Sequence, residues 1–154
     1  MSAGHRRPFE VAVVVHRPGD RGREYLIVLR APDRQGYWHL VAGGVESGEE
    51  PPVAAKRELR EETGLDTQPE RLPLTLSYDL AEEPEELRVR FPPGTERVEL
   101  GLFHARAPAG WEPELDSEHV DYRWCDVDDA VELLRWPEPK EAVREAHRVL
   151  GGAS

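Results

Sequence analysis

A chain of 154 residues with 38% apolar and 33% charged residues fits one domain, residues 1–154, with a sizeable core. Its net charge of −11 argues against nucleic-acid polymers and anionic membranes as partners, and its longest apolar run, Val11 to Val15, is far too short to span a bilayer. The single cysteine, Cys125, permits no internal disulfide, and MSAGHRRPFE lacks the apolar core of a signal peptide, so a cytoplasmic setting is expected.

Residues 1–8 read as a loose tail. Phe9 to His16 is β-branched and apolar, a strand. A turn around Pro18-Gly19-Asp20 leads to a second strand, Tyr25 to Leu29, so residues 9–30 read as a hairpin ending at Arg30. A loop from Pro32 to Gly36 precedes a third strand, Tyr37 to Val41, which runs into Gly43 and Gly44. Beyond a central helix, Leu74 to Leu80 is a strand candidate and Ala81 to Glu86 an acidic loop. Leu87 to Phe91 alternates apolar residues with arginine and reads as a further strand, closed by the turn Pro92-Pro93-Gly94. Val98 to Ala105 is strand-like, Ala107 to Glu118 a long polar loop carrying Trp111, and Val120 to Cys125 the last strand. Asp126 or Asp128 caps a helix through Leu134. Trp136 to Pro139 breaks it, and Lys140 to Leu150 forms a final helix with Ala142, Val143, Ala146 and Leu150 on one face. Strands on both sides of a central helix, with helices at the end, predict an α/β architecture: a mixed sheet between helices.

The central helix carries the chemistry. Pro51 and Pro52 suit a first turn, where a missing N–H costs little. Val53 to Thr63 are mostly good helix formers, and Gly64 is placed to end the run. Glu50 stands at the cap position, or Ser47 with Glu50 starts the helix slightly earlier as a capping-box-like pair. At about 100° per residue, Glu58, Glu61 and Glu62 share an arc of roughly 100°. These like charges repel, and they sit at the negative end of the helix dipole. Arg57 offsets Glu61, but nothing basic lies between Glu58 and Glu62. Clustered carboxylates of this kind are hard oxygen ligands suited to Mg²⁺ or Mn²⁺.

Spacing sharpens this reading. Gly43, five residues, Glu49, seven residues, Arg57-Glu58-Leu59, one residue, Glu61-Glu62, one residue, Gly64-Leu65 resembles the Nudix box, G-x5-E-x7-R-E-U-x-E-E-x-G-U (U aliphatic), at every fixed position. The resemblance implies the Nudix fold, a mixed β-sheet sandwiched between α-helices, and Mg²⁺-dependent hydrolysis of a diphosphate joined to another group. It implies metal ligation by Glu58, Glu61, Glu62 and the Gly43 carbonyl. Arg57 would orient the glutamates, and Glu49 would support the loop. A further acid from a late loop joins the metal in many members of the family. Glu118 is the candidate here, against a solvated loop glutamate, and either Glu58 or Glu118 would be the general base. Arg30 is placed where the family often has a phosphate-contacting arginine, against a surface arginine at a strand end. Trp38 either packs in the core or lines a base pocket, and Gly44 falls on the substrate side. Trp111 either stacks on a ring or covers the core.

The region from Pro93-Gly94 through Phe103, Ser117-Glu118-His119, Tyr122, Trp124 and Trp136 is loosely similar to dihydroneopterin triphosphate diphosphatases, a branch of the same family. That implies a small phosphorylated substrate with a flat bicyclic ring, releasing pyrophosphate. The box itself reads only the diphosphate, so nucleoside triphosphates, dinucleoside polyphosphates and sugar nucleotides stay open as alternatives. A non-catalytic binding module would be expected to carry a damaged box.

Overall fold

The structure, a computed structural model, describes residues 7–151. The expected tail therefore lies mostly outside the described residues. Its last two members are tied down: Arg7 Nη1 donates to the Glu49 carbonyl at 2.6 Å, and the Pro8 carbonyl accepts from Glu99 N–H at 3.0 Å.

Two strands, β1 (Phe9–Gly19) and β2 (Gly22–Arg30), form the expected hairpin, with Gly19 opposite Gly22 across a tight turn. β1 is the spine of a seven-stranded mixed sheet. One edge pairs in parallel with β6 (Arg97–Arg106), which in turn pairs with the outer strand β5 (Glu70–Asp79). The other edge is shared. Its far end pairs with β2, and its near end pairs with β4 (Val41–Gly44), Val11 lying opposite Gly43. β2 in turn carries β3 (Trp38–His39) on one edge and β7 (His119–Cys125) on the other.

Both faces of β1 are covered, which is why it reads as an unbroken apolar run rather than an alternating one. Val11, Val13 and Val15 point to one side and pack with Ala54, Ala55 and Leu59 of the central helix α1 (Pro51–Thr63). Ala12 and Val14 point to the other and pack with Ala142, Val143 and Ala146 of α4 (Pro137–Val149). The result is the expected mixed sheet between helices. No described helix is long and apolar enough to cross a membrane.

Four boundaries differ clearly from expectation, one being β5, which starts at Glu70 rather than Leu74 because Glu70 and Arg71 already pair with β6. The strand expected over Tyr37 to Val41 is two strands, because the chain leaves the edge of β2 after His39 and joins the edge of β1 at Val41. Leu87 to Phe91 is not a strand: Glu85–Arg88 is a short helix, α2, started at Pro84, and only Phe91 is buried, against Leu80 and Val98. Its alternation has no neighbouring strand to pair with, and Val89 is 65% exposed. The last helix starts at Pro137 rather than Lys140. Both prolines fit in its first turn, where N–H groups are free anyway. The break after α3 (Val127–Leu133), capped by the Asp126 carboxylate on Asp129 N–H at 2.8 Å, falls at Leu134 to Trp136.

Candidate active site

The box helix is held at both ends without a side-chain cap. Glu50 occupies the cap position in extended conformation with no capping hydrogen bond, so the pair of Ser47 and Glu50 does not close the start. Gly64 ends the helix in the left-handed region at φ 81°, its N–H on the Arg60 carbonyl. The preceding loop is closed by Glu49 instead, whose Oε1 accepts from Glu46 N–H at 3.0 Å.

Arg57 ties that loop to the helix. Its Nε and Nη2 donate to the two oxygens of Glu49 at 2.8 and 2.9 Å, a bidentate pair. Nη2 also reaches the Gly44 carbonyl at 3.0 Å, and Nη1 reaches Glu58 Oε1 at 2.5 Å and Glu61 Oε2 at 3.5 Å. The guanidinium holds the Glu49 carboxyl below its usual range, and the carboxylates raise the arginine in turn. One planar cation thus fixes the loop, the end of β4 and Glu58 of the helix, a set a lysine's single ammonium cannot span.

Glu58 lies directly on β4. A Cβ built on Gly43 would sit 2.1 Å from Glu58 Oε2, so glycine is required for the carboxylate to rest there. Glu62, one turn on, is 4% exposed. Its Oε1 accepts weakly from Ala42 N–H at 3.4 Å and lies 3.7 Å from His119 Nε2. Burial pushes its carboxyl well above the usual range, and Glu58 and Asp116 push the same way. Glu61 points outward, 57% exposed, with Arg57 as its ion partner.

Behind Glu62 stands a pair that sequence reading left without a role. His119 Nδ1 is 2.8 Å from Asp116 Oδ1, which also accepts Glu118 N–H at 3.2 Å. With Nδ1–H donating to Asp116, the Nε2 lone pair faces Glu62. Glu118 itself turns elsewhere: its half-exposed carboxylate lies 3.7 Å from Arg34. The loop before β7 therefore brings the histidine next to Glu118, rather than Glu118, against the box. Asp116 gave no signal in the sequence beyond its place in a long polar loop.

Arg30 ends β2 opposite His119, past an irregularity in the β2–β7 pairing. Its Nε donates to the Arg34 carbonyl at 3.1 Å, and its guanidinium lies 5.4 Å from the Tyr37 ring centroid. Tyr37 meets Trp136 edge-on at 5.8 Å, an aromatic corner the sequence reading did not assemble. Trp38 packs against the cluster under α4, with Arg123 over its ring at 4.9 Å. Trp111 packs against the α1-side core, edge-on to Trp124. A separate concavity of about 620 Å³, lined by His16, Arg21, Arg23 and Arg106, lies at the hairpin tip and contains no box residue.

Among the described residues no three His, Cys, Asp or Glu side chains already converge tightly enough to hold a metal ion. The donor set still fits one. Glu58 rests in a glycine cradle, and Glu62 is a buried acid whose carboxyl is pushed up by burial and by Glu58, a repulsion that a cation would relieve.

The comparisons with known proteins identify the family. The NUDIX domain model matches residues 6–146. Dihydroneopterin triphosphate diphosphatase of Escherichia coli (strain K12) is 28% identical over 146 residues, covering 92% of this chain and 93% of that protein. The solved structure of the E. coli dihydroneopterin triphosphate pyrophosphohydrolase gives a TM-score of 0.75 at 27% identity, covering 91% of this chain and 94% of that one. An octanoyltransferase of Myxococcus xanthus is 38% identical over 141 residues, but this chain spans only 36% of its length. With the domain model spanning nearly the whole chain and every fixed position of the box in place, the chain belongs to the Nudix hydrolase family.

Proposed function

We propose that the chain is a Mg²⁺-dependent pyrophosphohydrolase that cuts a triphosphate carrying a flat bicyclic ring into a monophosphate and pyrophosphate. The observation that carries this reading is the pairing of Glu58 and Glu62. One rests on Gly43 and the other is buried beside it, and no arginine or lysine is paired with Glu62 among the described residues. Glu58, Glu61, Glu62 and the Gly43 carbonyl are the residues that would hold the ion, and Glu118 would join them by leaving Arg34, 3.7 Å away. When bound, Mg²⁺, or Mn²⁺ in its place, supplies Lewis-acid polarisation of phosphoryl oxygens and a more acidic water.

The chain's own residues do the positioning. Arg57 fixes the direction of Glu58, and Asp116 through His119 fixes the floor under Glu62. Glu58 or Glu118 takes the proton from the attacking water. Gly44, lacking a side chain, lets the phosphate chain approach the β4 backbone, and Arg30 meets a phosphate. Trp38 stiffens the strand behind them. Tyr37 and Trp136 offer aromatic faces to the ring, whose π-surface pterins and purines share. The pterin version of this reading is supported by the E. coli relative, whose match spans nearly all of both chains. A small phosphorylated substrate, rather than a nucleic-acid polymer or a membrane, suits a chain of net charge −11, and a lone, buried Cys125 suits the cytoplasm.

The test is kcat/KM, with and without Mg²⁺, for dihydroneopterin triphosphate, dATP, GTP, a diadenosine polyphosphate and ADP-ribose. The expected order places dihydroneopterin triphosphate first and the purine triphosphates next, all Mg²⁺-dependent. A best value for ADP-ribose or the diadenosine polyphosphate would overturn the ring-triphosphate reading. Equal rates without metal would overturn the mechanism.

A further inference from the structure

His39 holds the one sealed side-chain polar atom that lacks a hydrogen bond among the described residues, its Nδ1. An unpaired buried polar group carries a desolvation cost that a leucine of similar bulk would avoid. The position therefore carries a cost that packing does not explain.

Strand geometry says which way the ring points. Trp38, its neighbour in β3, packs against the α4-side cluster, so His39 faces the opposite side, toward α1. Its cross-strand partner Val28 belongs to the α1-side core, as this requires. On that same face β7 places His119 opposite Arg30. Arg30 stands two residues along β2 from Val28, so His39, Arg30 and His119 lie on a diagonal across three strands, with Glu62 beside His119.

The proton on His39 can also be placed. Burial, with Arg30 and His119 nearby, lowers its pKa to about 3, so the ring is neutral and carries a single N–H. Buried N–H groups without partners are rarer than under-satisfied acceptors. The proton is therefore placed on Nε2, which is not among the sealed unpartnered atoms, and Nδ1 keeps a bare lone pair. That leaves a neutral donor on β3 near the Arg30 guanidinium, which bonds the Arg34 carbonyl and lies by the Tyr37 ring, with Glu83 as its longer-range countercharge.

We propose that His39 is a substrate-binding residue whose Nε2–H, together with Arg30, donates to a phosphoryl oxygen of the bound substrate. This rests on the diphosphate-hydrolysis reading above. A neutral donor suits the place, since it draws a phosphate toward an acidic helix without adding a second buried charge.

The test combines thermal melting, steady-state kinetics on the best triphosphate, and calorimetric binding of α,β-methylene-GTP, which cannot be cut at that bridge. For His39→Leu the expected result is an analogue Kd and a KM raised about tenfold or more, one lost hydrogen bond to a charged group, with a smaller change in kcat. Its Tm should equal or exceed the wild-type value, because the orphan nitrogen is gone. His39→Gln, whose amide N–H reaches the Nε2 position, should restore most of the affinity. A lower Tm with unchanged Kd and KM for His39→Leu would make His39 a packing residue and overturn the proposal. Wild-type protein that neither binds the analogue nor cuts any substrate with Mg²⁺ would overturn the hydrolase reading as well. An active wild type with an indifferent His39→Leu would overturn this inference alone.

Discussion

The carboxylates on and just before α1 fall into two groups that meet opposite fates. On the Arg57 side, Glu49 is gripped at 2.8 and 2.9 Å, Glu58 at 2.5 Å, and the Glu49 carboxyl is held low. On the Glu62 side the carboxyl is buried and pushed high, with an imidazole 3.7 Å away in place of an arginine. Glutamates a few residues apart thus stand in opposite surroundings, one set gripped by a guanidinium and the other buried beside an imidazole. Charge count alone does not distinguish the two; which cation the fold delivers does.

The largest break comes from Glu62→Gln. Turnover should fall by about 10²–10³-fold or more, the scale of losing one charge-stabilising group at a reacting phosphate. The metal-free fold should stand, and its pH response gives a sign. Glu62 binds its proton more tightly folded than unfolded, so metal-free stability declines as pH rises above the ordinary carboxylate range. The amide that replaces the carboxyl has no such proton to lose. The variant should match wild type in acid and gain on it as pH rises, in denaturant melts with chelator. A gap that opens toward low pH instead would reverse the assignment.

Arg57→Ala attacks the other group. It frees Glu49, Glu58 and the Gly44 carbonyl at once. Metal affinity and activity should drop about 10–100-fold, as for other residues that orient a ligand. The Tm should fall too, unlike that of Glu62→Gln. Arg57→Lys should recover little, since an ammonium cannot make the fork. Full recovery with lysine would mean that only the charge matters.

A smaller effect is expected from Gly43→Ala. Its Cβ would stand 2.1 Å from Glu58 Oε2, and a long side chain can swing away more readily than the strand can move. Activity should fall about tenfold, one 1.4 kcal/mol step, through a higher Mg²⁺ requirement, with the Tm nearly unchanged. A variant with unaltered Mg²⁺ dependence would separate Glu58 from the metal.

How much of this was legible follows the distance between the residues concerned. The box is local, so spacing alone placed Glu58, Glu61 and Glu62 on one face, and α1 indeed runs Pro51–Thr63 to Gly64. The hairpin and the layered sheet followed from apolar runs buried on both sides. The floor under Glu62 was not legible in the same way. It depends on β7 pairing with β2 past an irregularity at Leu29 and Arg30, which turns His119 inward and Glu118 toward Arg34. No local pattern encodes that register. Leu87 to Phe91 misled because alternating arginines mimic a strand face when no partner strand is known. Pro137 and Pro139 misled because a proline breaks a helix interior but opens a first turn.

The central claim is that the acid face of α1 binds the divalent ion. A ligand that binds only the native state adds RT ln(1 + [L]/Kd), roughly 2.7 kcal/mol at a hundredfold excess over Kd. The measurement is the Tm of wild type and of Glu58→Gln/Glu62→Gln, each with chelator and with millimolar Mg²⁺ or Mn²⁺. Wild type should melt distinctly higher with metal, and the double variant should lose most of that shift. An equal shift in both proteins would place the ion elsewhere and contradict the account.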